Sequence, residues 1–131
     1  VWPVHPRTLK NIKKFKIKLN KNIISVKPLD FFNFVNLEMN AFCVLTDSGT
    51  VQEECAIFKV PHVVLRDKTE RPETIEAGSS IISMGNKLDI LNAIKFSTDN
   101  KLISDDIHGY HDLNISKKVL NIILSNYEFD K

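Results

Sequence analysis

No acidic residue precedes Asp30, only two cysteines occur in 131 residues, and no apolar run approaches the length of a membrane span. Each shortage narrows the reading. Cys43 and Cys55 stand apart, with no metal-ligand spacing, so two reduced core thiols in a cytoplasmic protein are expected. Without a long apolar segment no membrane association is expected, and no signal peptide is expected either. No internal repeat or low-complexity segment occurs, and the length fits one domain. His108 and His111, spaced i and i+3, lack a further ligand set, so neither a metal nor any other cofactor is expected.

The missing acids leave Val1–Leu29 strongly basic, while the remainder is net negative and the whole chain carries a net charge of +2. Lys10, Lys13, Lys14, Lys16, Lys18 and Lys21 alternate with Leu9, Ile12, Phe15 and Leu19. That pattern is an amphipathic helix with a solvated basic face, in preference to a nucleic-acid surface. A hydrophobic content of 43% and an aromatic content of 8% suit a packed core.

What is present is an alternation of short strands and helices. Val1–Val4 reads as the end of a strand, Arg7–Leu19 as a helix, Asn22–Val26 as a strand and Asp30–Asn40 as a helix. Phe42–Leu45 reads as a buried strand, Val51–Phe58 as a helix and Val60–Leu65 as a strand. A short helix starts near Pro72, which suits a first helical turn, and ends at Gly78. Ser80–Ser83 is a short strand, and Lys87–Phe96 and Ile115–Asn126 are helices, with His108–His111 in a loop. The alternation predicts an α/β fold with a parallel sheet covered by helices on both faces.

The run Thr46-Asp47-Ser48-Gly49-Thr50-Val51-Gln52-Glu53-Glu54-Cys55 carries the most information. A strand passes through a Ser-Gly turn into a helix, whose first N–H groups have no intrahelical partner and whose dipole favours an anion. Ser48 adds a hydroxyl donor, and Gly49 lets a phosphate approach the backbone. Glu54, more than a turn further on, is placed to accept hydrogen bonds from the paired hydroxyls of a ribose. Together they suggest a nucleotide site. The same residues fit an ordinary N-cap and an acid-stabilised first turn. A second run, from Val63 to Thr74, again leads a strand through a charged loop to a helix start. Two such loops converge on one edge of a parallel sheet, where open α/β sheets bind ligands.

The D-S-G-x-V-Q-E-E run followed by V-L-R-D-x-T-E-R-P-E resembles the non-hydrolysing UDP-N-acetylglucosamine 2-epimerase family, with matching spacing. Pro3-Val4-His5-Pro6 and Lys27-Pro28-Leu29-Asp30-Phe31-Phe32-Asn33-Phe34 resemble two further motifs of that family, so the likeness covers nearly the whole chain. Thr50 and Cys55 replace the family's usual glycine and alanine. With His5-Pro6-Arg7-Thr8 and the pattern over Asn114–Ile123, they resemble the branch that makes UDP-N-acetyl-L-fucosamine from UDP-2-acetamido-2,6-dideoxy-L-talose.

The resemblance implies a Rossmann-like domain, 1–131, forming the C-terminal half of a two-domain GT-B-type architecture. The family's catalytic carboxylates lie on an N-terminal domain that is not represented in this chain. By the same resemblance, Ser48 and Gly49 contact the diphosphate of a UDP-sugar, with Thr50 beside them, and Glu54 holds the ribose. Phe34 matches the aromatic that packs on uracil, or is a core residue. Arg71 serves a phosphate or organises its loop, and pairing with Glu70, Glu73 or Glu76 is the structural alternative. His5 matches a cleft-facing histidine that binds a regulatory nucleotide sugar in some relatives, although Pro6-Arg7-Thr8 departs from that motif. His62 reads as structural. The missing N-terminal domain is an expected partner, and a homodimer is an assembly the resemblance allows. The expected function is the UDP-binding half of a C2 epimerase. A nucleotide-sugar-sensing module and a glycosyltransferase donor domain are the alternatives.

Overall fold

The computed structural model describes residues 1–83, 85–99 and 106–126, which belong to two compact units, Val1–Asn40 and Ala41–Lys131. In the first, β1 (Trp2–Pro3) pairs in parallel with β2 (Ser25–Val26), and α1 (Pro6–Lys14) lies between them in sequence. Then α2 (Phe31–Met39) begins at Asp30, whose Oδ1 accepts the Asn33 N–H at 3.0 Å, an N-cap that holds the Asp30 carboxyl below its ordinary pKa.

Helix α1 is shorter than its expected span of Arg7–Leu19. It ends at Phe15 because Lys16 takes a left-handed conformation, φ 51°. The Ile17 N–H then reaches the Ile12 carbonyl and the Lys16 N–H the Lys13 carbonyl, the paired bonds of a Schellman stop. The stripe of Leu9, Ile12 and Phe15 is not a core face: no residue of α1 is buried, and Phe15 is 64% exposed.

The second unit holds β3 (Val44–Thr46), α3 (Gly49–Phe58), β4 (His62–Val64), α4 (Pro72–Glu76), β5 (Ser80–Ile82), α5 (Lys87–Asp99) and α6 (Ile115–Asn126). The sheet is parallel in the order β3-β4-β5, with Val44 opposite His62 and Val63 opposite Ile81. All three residues of β4 are buried. Successive strand residues point to opposite faces, so both faces of the sheet are covered, as the α/β reading requires. Helix α3 packs on β3 and β4, and α5 packs on β4 and β5. Helix α6 begins at Ile115 as expected and has no buried residue.

Two expectations change. The hydrogen-bonded strands form one three-stranded and one two-stranded sheet. The strand expected over Phe42–Leu45 is Val44–Thr46, at the edge of its sheet, with Phe42 79% and Leu45 46% exposed. An edge strand has a neighbour on one side only, and its apolar residues lose cover accordingly. Cys43 precedes this strand and is half-buried, which raises its thiol pKa, while Cys55 on α3 is fully buried.

Removing apolar volume from the centre of this sheet leaves a cavity, whereas trimming its edge does not. Val63→Ala should cost about 2 kcal/mol and Leu45→Ala less than about 1 kcal/mol, measured by urea denaturation. Equal losses would contradict the assignment of β4 as the buried strand.

Candidate functional site

Strands β3 and β4 lie side by side in parallel, so their carboxyl ends leave the sheet at one edge, Thr46 opposite Val64. After Thr46 the chain turns sharply, with the Ser48 N–H donating to Thr46 Oγ1 at 3.0 Å. Ser48 then stands as N-cap of α3 in an extended conformation, φ −94° and ψ 130°, but its side chain makes no capping bond. The ordinary capping role of a serine is therefore not what its hydroxyl performs here. The first backbone N–H groups of α3 point outward from this end by the geometry of any helix start. Gly49 opens the helix and Thr50 follows it, exposed. Glu54 lies further along α3, half-buried.

The loop after β4 returns to the same place. The Leu65 N–H donates to the Thr46 carbonyl at 2.8 Å, and the segment beyond leads to Arg71, the N-cap residue of α4. Arg71 Cζ and Nη2 lie 3.6 Å from where a Cβ on Gly49 would sit. The guanidinium thus stands beside Gly49 at the mouth of α3, at ordinary contact distance from where a Cβ would be. Its charge and the helix dipole both favour an anion at this position.

Arg71 does not take Glu70, Glu73 or Glu76 as its side-chain partner. Its Nε pairs with Glu53 Oε1, and its Nη1 donates to the Glu70 carbonyl at 3.2 Å. The hydrogen bond and charge of Glu53 raise the already high pKa of Arg71. Glu70 pairs with Arg66 at 3.0 Å, and Glu73 accepts the Tyr110 hydroxyl at 2.7 Å. Burial first, and the Glu73 bond second, push the Tyr110 phenol well above its ordinary range, and the same bond lowers the Glu73 carboxyl.

The structure brings Ser48, Gly49, Thr50 and Arg71 to one edge of the second unit, with Glu54 on the helix that starts there. Phe34 and His5 belong to the first unit. Phe34 is half-buried on α2. His5 is exposed, and its Nδ1 caps α1 by accepting the Arg7 N–H at 3.2 Å. Tyr110 and Glu53 as partners of this loop were not legible, because both pairings join residues far apart in sequence. Among the described residues, no group of three or more His, Cys, Asp or Glu side chains is arranged to hold a metal ion, and no helix is long and apolar enough to cross a membrane. Two shallow depressions, near Tyr110 and near His62, lie beside Lys59 at the other end of α3.

His62, read as structural, is fully buried. Its Nδ1 lies 2.9 Å from the Val60 carbonyl and its Nε2 2.5 Å from Ser80 Oγ. The carbonyl can only accept, so the proton is assigned to Nδ1, and the Ser80 hydroxyl donates to Nε2.

Comparison with known proteins places this geometry in context. A family model described as UDP-N-acetylglucosamine 2-epimerase matches residues 1–124. A UDP-N-acetylglucosamine 2-epimerase of Methanocaldococcus jannaschii is 45% identical over 105 residues, covering 77% of this chain and 29% of the relative. One from Methanococcus maripaludis is 36% identical over 130 residues, covering 94% of this chain and 34% of the relative. A crystal structure of the M. jannaschii UDP-GlcNAc 2-epimerase in complex with UDP-GlcNAc and UDP superposes with a TM-score of 0.81 at 38% identity, over 92% of this chain and 34% of that one. The Rickettsia bellii enzyme superposes with a TM-score of 0.76 at 37% identity, over 93% of this chain and 35% of that one. The chain therefore spans about a third of the length of these relatives.

Burial holds the His62 imidazole below its ordinary pKa of 6.5, against the opposing pull of the Val60 carbonyl. Below pH 6.5 the unfolded chain takes up a proton that the folded chain refuses, so stability falls with falling pH. Replacing His62 with Gln should flatten that slope between about pH 5 and 6.5 in denaturation measurements. An unchanged slope would contradict a buried neutral imidazole.

Proposed function

Because the chain belongs to the UDP-N-acetylglucosamine 2-epimerase family, we propose that it is the C-terminal, UDP-holding domain of a two-domain nucleotide-sugar C2 epimerase. The observation that carries this reading is the arginine seated against Gly49 at the open start of α3. A diphosphate at that position meets the backbone donors of Gly49 and Thr50, the Ser48 hydroxyl, and the Arg71 cation. Glu54 then accepts the ribose hydroxyls.

The chemistry explains why such a domain is needed. A C2 proton of a sugar is weakly acidic, and a bare carbanion there is costly. Elimination avoids it: a base takes the C2 proton, those electrons form the C1–C2 double bond, and UDP leaves with the electrons of the C1–O bond. Reprotonation of C2 on the opposite face and return of UDP to C1 complete the inversion. The departing diphosphate gains negative charge as the bond breaks, so donors already aimed at it stabilise the transition state more than the bound substrate. The proton-transferring carboxylates are supplied from outside this chain, by an N-terminal domain that faces this one across a cleft, in a cytoplasmic enzyme that makes precursors of surface polysaccharides. His5 is a cleft residue in that assembly, which the family architecture also permits to be a homodimer.

The names of the relatives favour one substrate pair for this reading, UDP-N-acetylglucosamine and UDP-N-acetylmannosamine. A second reading, the 2,6-dideoxy-L-talose and L-fucosamine pair, draws on Thr50 and Cys55. Cys55 is fully buried, so of the two only the exposed Thr50 is able to touch a ligand.

Glu54→Gln should weaken UDP more than 2′,3′-dideoxy-UDP in calorimetry, and equal losses would remove the ribose role. In deuterated water, the intact gene product should incorporate deuterium at C2 of one of the two UDP-sugars. No incorporation with either would defeat the epimerase assignment.

A further inference from the structure

Arg71 is held from behind as well as from the front. Its backbone N–H donates to Thr69 Oγ1 at 3.1 Å, and its carbonyl accepts the Thr74 hydroxyl at 2.8 Å. Both threonines end on one side chain of α3. Thr69 Oγ1 donates to Gln52 Oε1 at 2.7 Å, and Gln52 Nε2 donates to Thr74 Oγ1 at 2.5 Å. The bonds close into a ring: Gln52, Thr69, Arg71 main chain, Thr74 and back to Gln52.

Proton counting fixes its direction. A threonine hydroxyl has one proton. That of Thr74 goes to the Arg71 carbonyl, so Thr74 can only accept from Gln52, and the amide must turn its nitrogen toward it. That of Thr69 goes to Gln52, which leaves its oxygen to accept from Arg71. The second Gln52 N–H points to Ser80 Oγ at 3.4 Å, which joins the ring to the buried His62. Gln52 is 1% and Thr74 0% exposed, so water does not substitute for these bonds.

We propose that Gln52 is a positioning residue for the diphosphate site: its carboxamide locks the main chain of Arg71 so that the guanidinium stands over Gly49. The arrangement rests on the UDP reading for its ligand, but not for its geometry. Arg71 is the N-cap residue of α4 and makes no side-chain capping bond, so its main chain is held here by the two threonines. The same amide sits on the helix whose mouth the guanidinium faces. Gln52 therefore sets the position of the cation relative to the backbone donors through a single rigid group.

The test compares the intact gene product with Gln52→Met, which keeps the volume and removes the hydrogen bonds, alone and combined with Arg71→Ala. Calorimetry with UDP and with uridine is the readout. The first variant should lower UDP affinity roughly tenfold, leave uridine within about twofold, and add no loss once Arg71 is alanine. A loss that persists in the Arg71→Ala background, or one shared equally by uridine, would overturn the proposal. A wild-type protein that prefers UDP no more than uridine would instead defeat the diphosphate reading. In that case amide exchange decides the positioning: the Arg71 N–H should exchange roughly tenfold faster in Gln52→Met, and an unchanged rate would refute it. Should Gln52→Met fail to fold, Thr69→Val should reproduce its effects and Thr69→Ser should restore them, whereas identical behaviour of the two would refute the ring.

Discussion

The contact between the Arg71 guanidinium and the backbone at Gly49 is the point on which the site depends. It needs two elements to arrive together. The parallel pairing of β3 with β4 delivers both loops to one edge, and the loop after β4 sets the guanidinium 3.6 Å from where a Cβ on Gly49 would sit. Two sources of positive potential then coincide: the orphan N–H groups that form the positive end of the α3 dipole, and a fixed guanidinium. Neither is by itself a diagnostic feature, since a helix start and a paired arginine are both common. Their coincidence is what supports an anion as the ligand.

Glu53 balances that charge. Its carboxylate pairs with Nε of Arg71. Such a partner orients the arginine and keeps a partly exposed cation from swinging into solvent. The buried side is uncharged. Gln52, Thr69, Thr74, Ser80 and the neutral His62 satisfy one another with single-proton hydrogen bonds, which favours a unique arrangement of the loop at no cost in buried charge.

Much of this was legible in the residues. Parallel topology followed from the alternation of strands and helices, and the meeting of two loops followed from that topology. The stop at Gly78 was visible because glycine tolerates φ 70° without penalty. Lys16 and Lys59 adopt nearly the same conformation at the ends of α1 and α3, and no local signal distinguishes them from helical lysines. That is why α1 was expected to continue to Leu19. The exposure of Phe42 and Leu45 was equally hidden, because an apolar run does not say whether its strand is central or at an edge. Within the site, Ser48, Gly49 and Arg71 were singled out from motifs and stand at one edge of the second unit, but Glu53 was credited to the helix dipole and Gln52 to nothing. Their roles arise from residues 18 and 17 positions away, a distance at which sequence pattern carries no geometry.

The central claim is that a nucleotide diphosphate lies between the start of α3 and Arg71. A crystal structure of the intact gene product grown with UDP tests it most directly. The account predicts diphosphate oxygens within hydrogen-bonding distance of the Gly49 and Thr50 backbone N–H groups and of the Arg71 guanidinium, with Glu53 still paired to that arginine. A nucleotide bound elsewhere, with the Gly49 backbone and Arg71 unchanged and untouched, would contradict it.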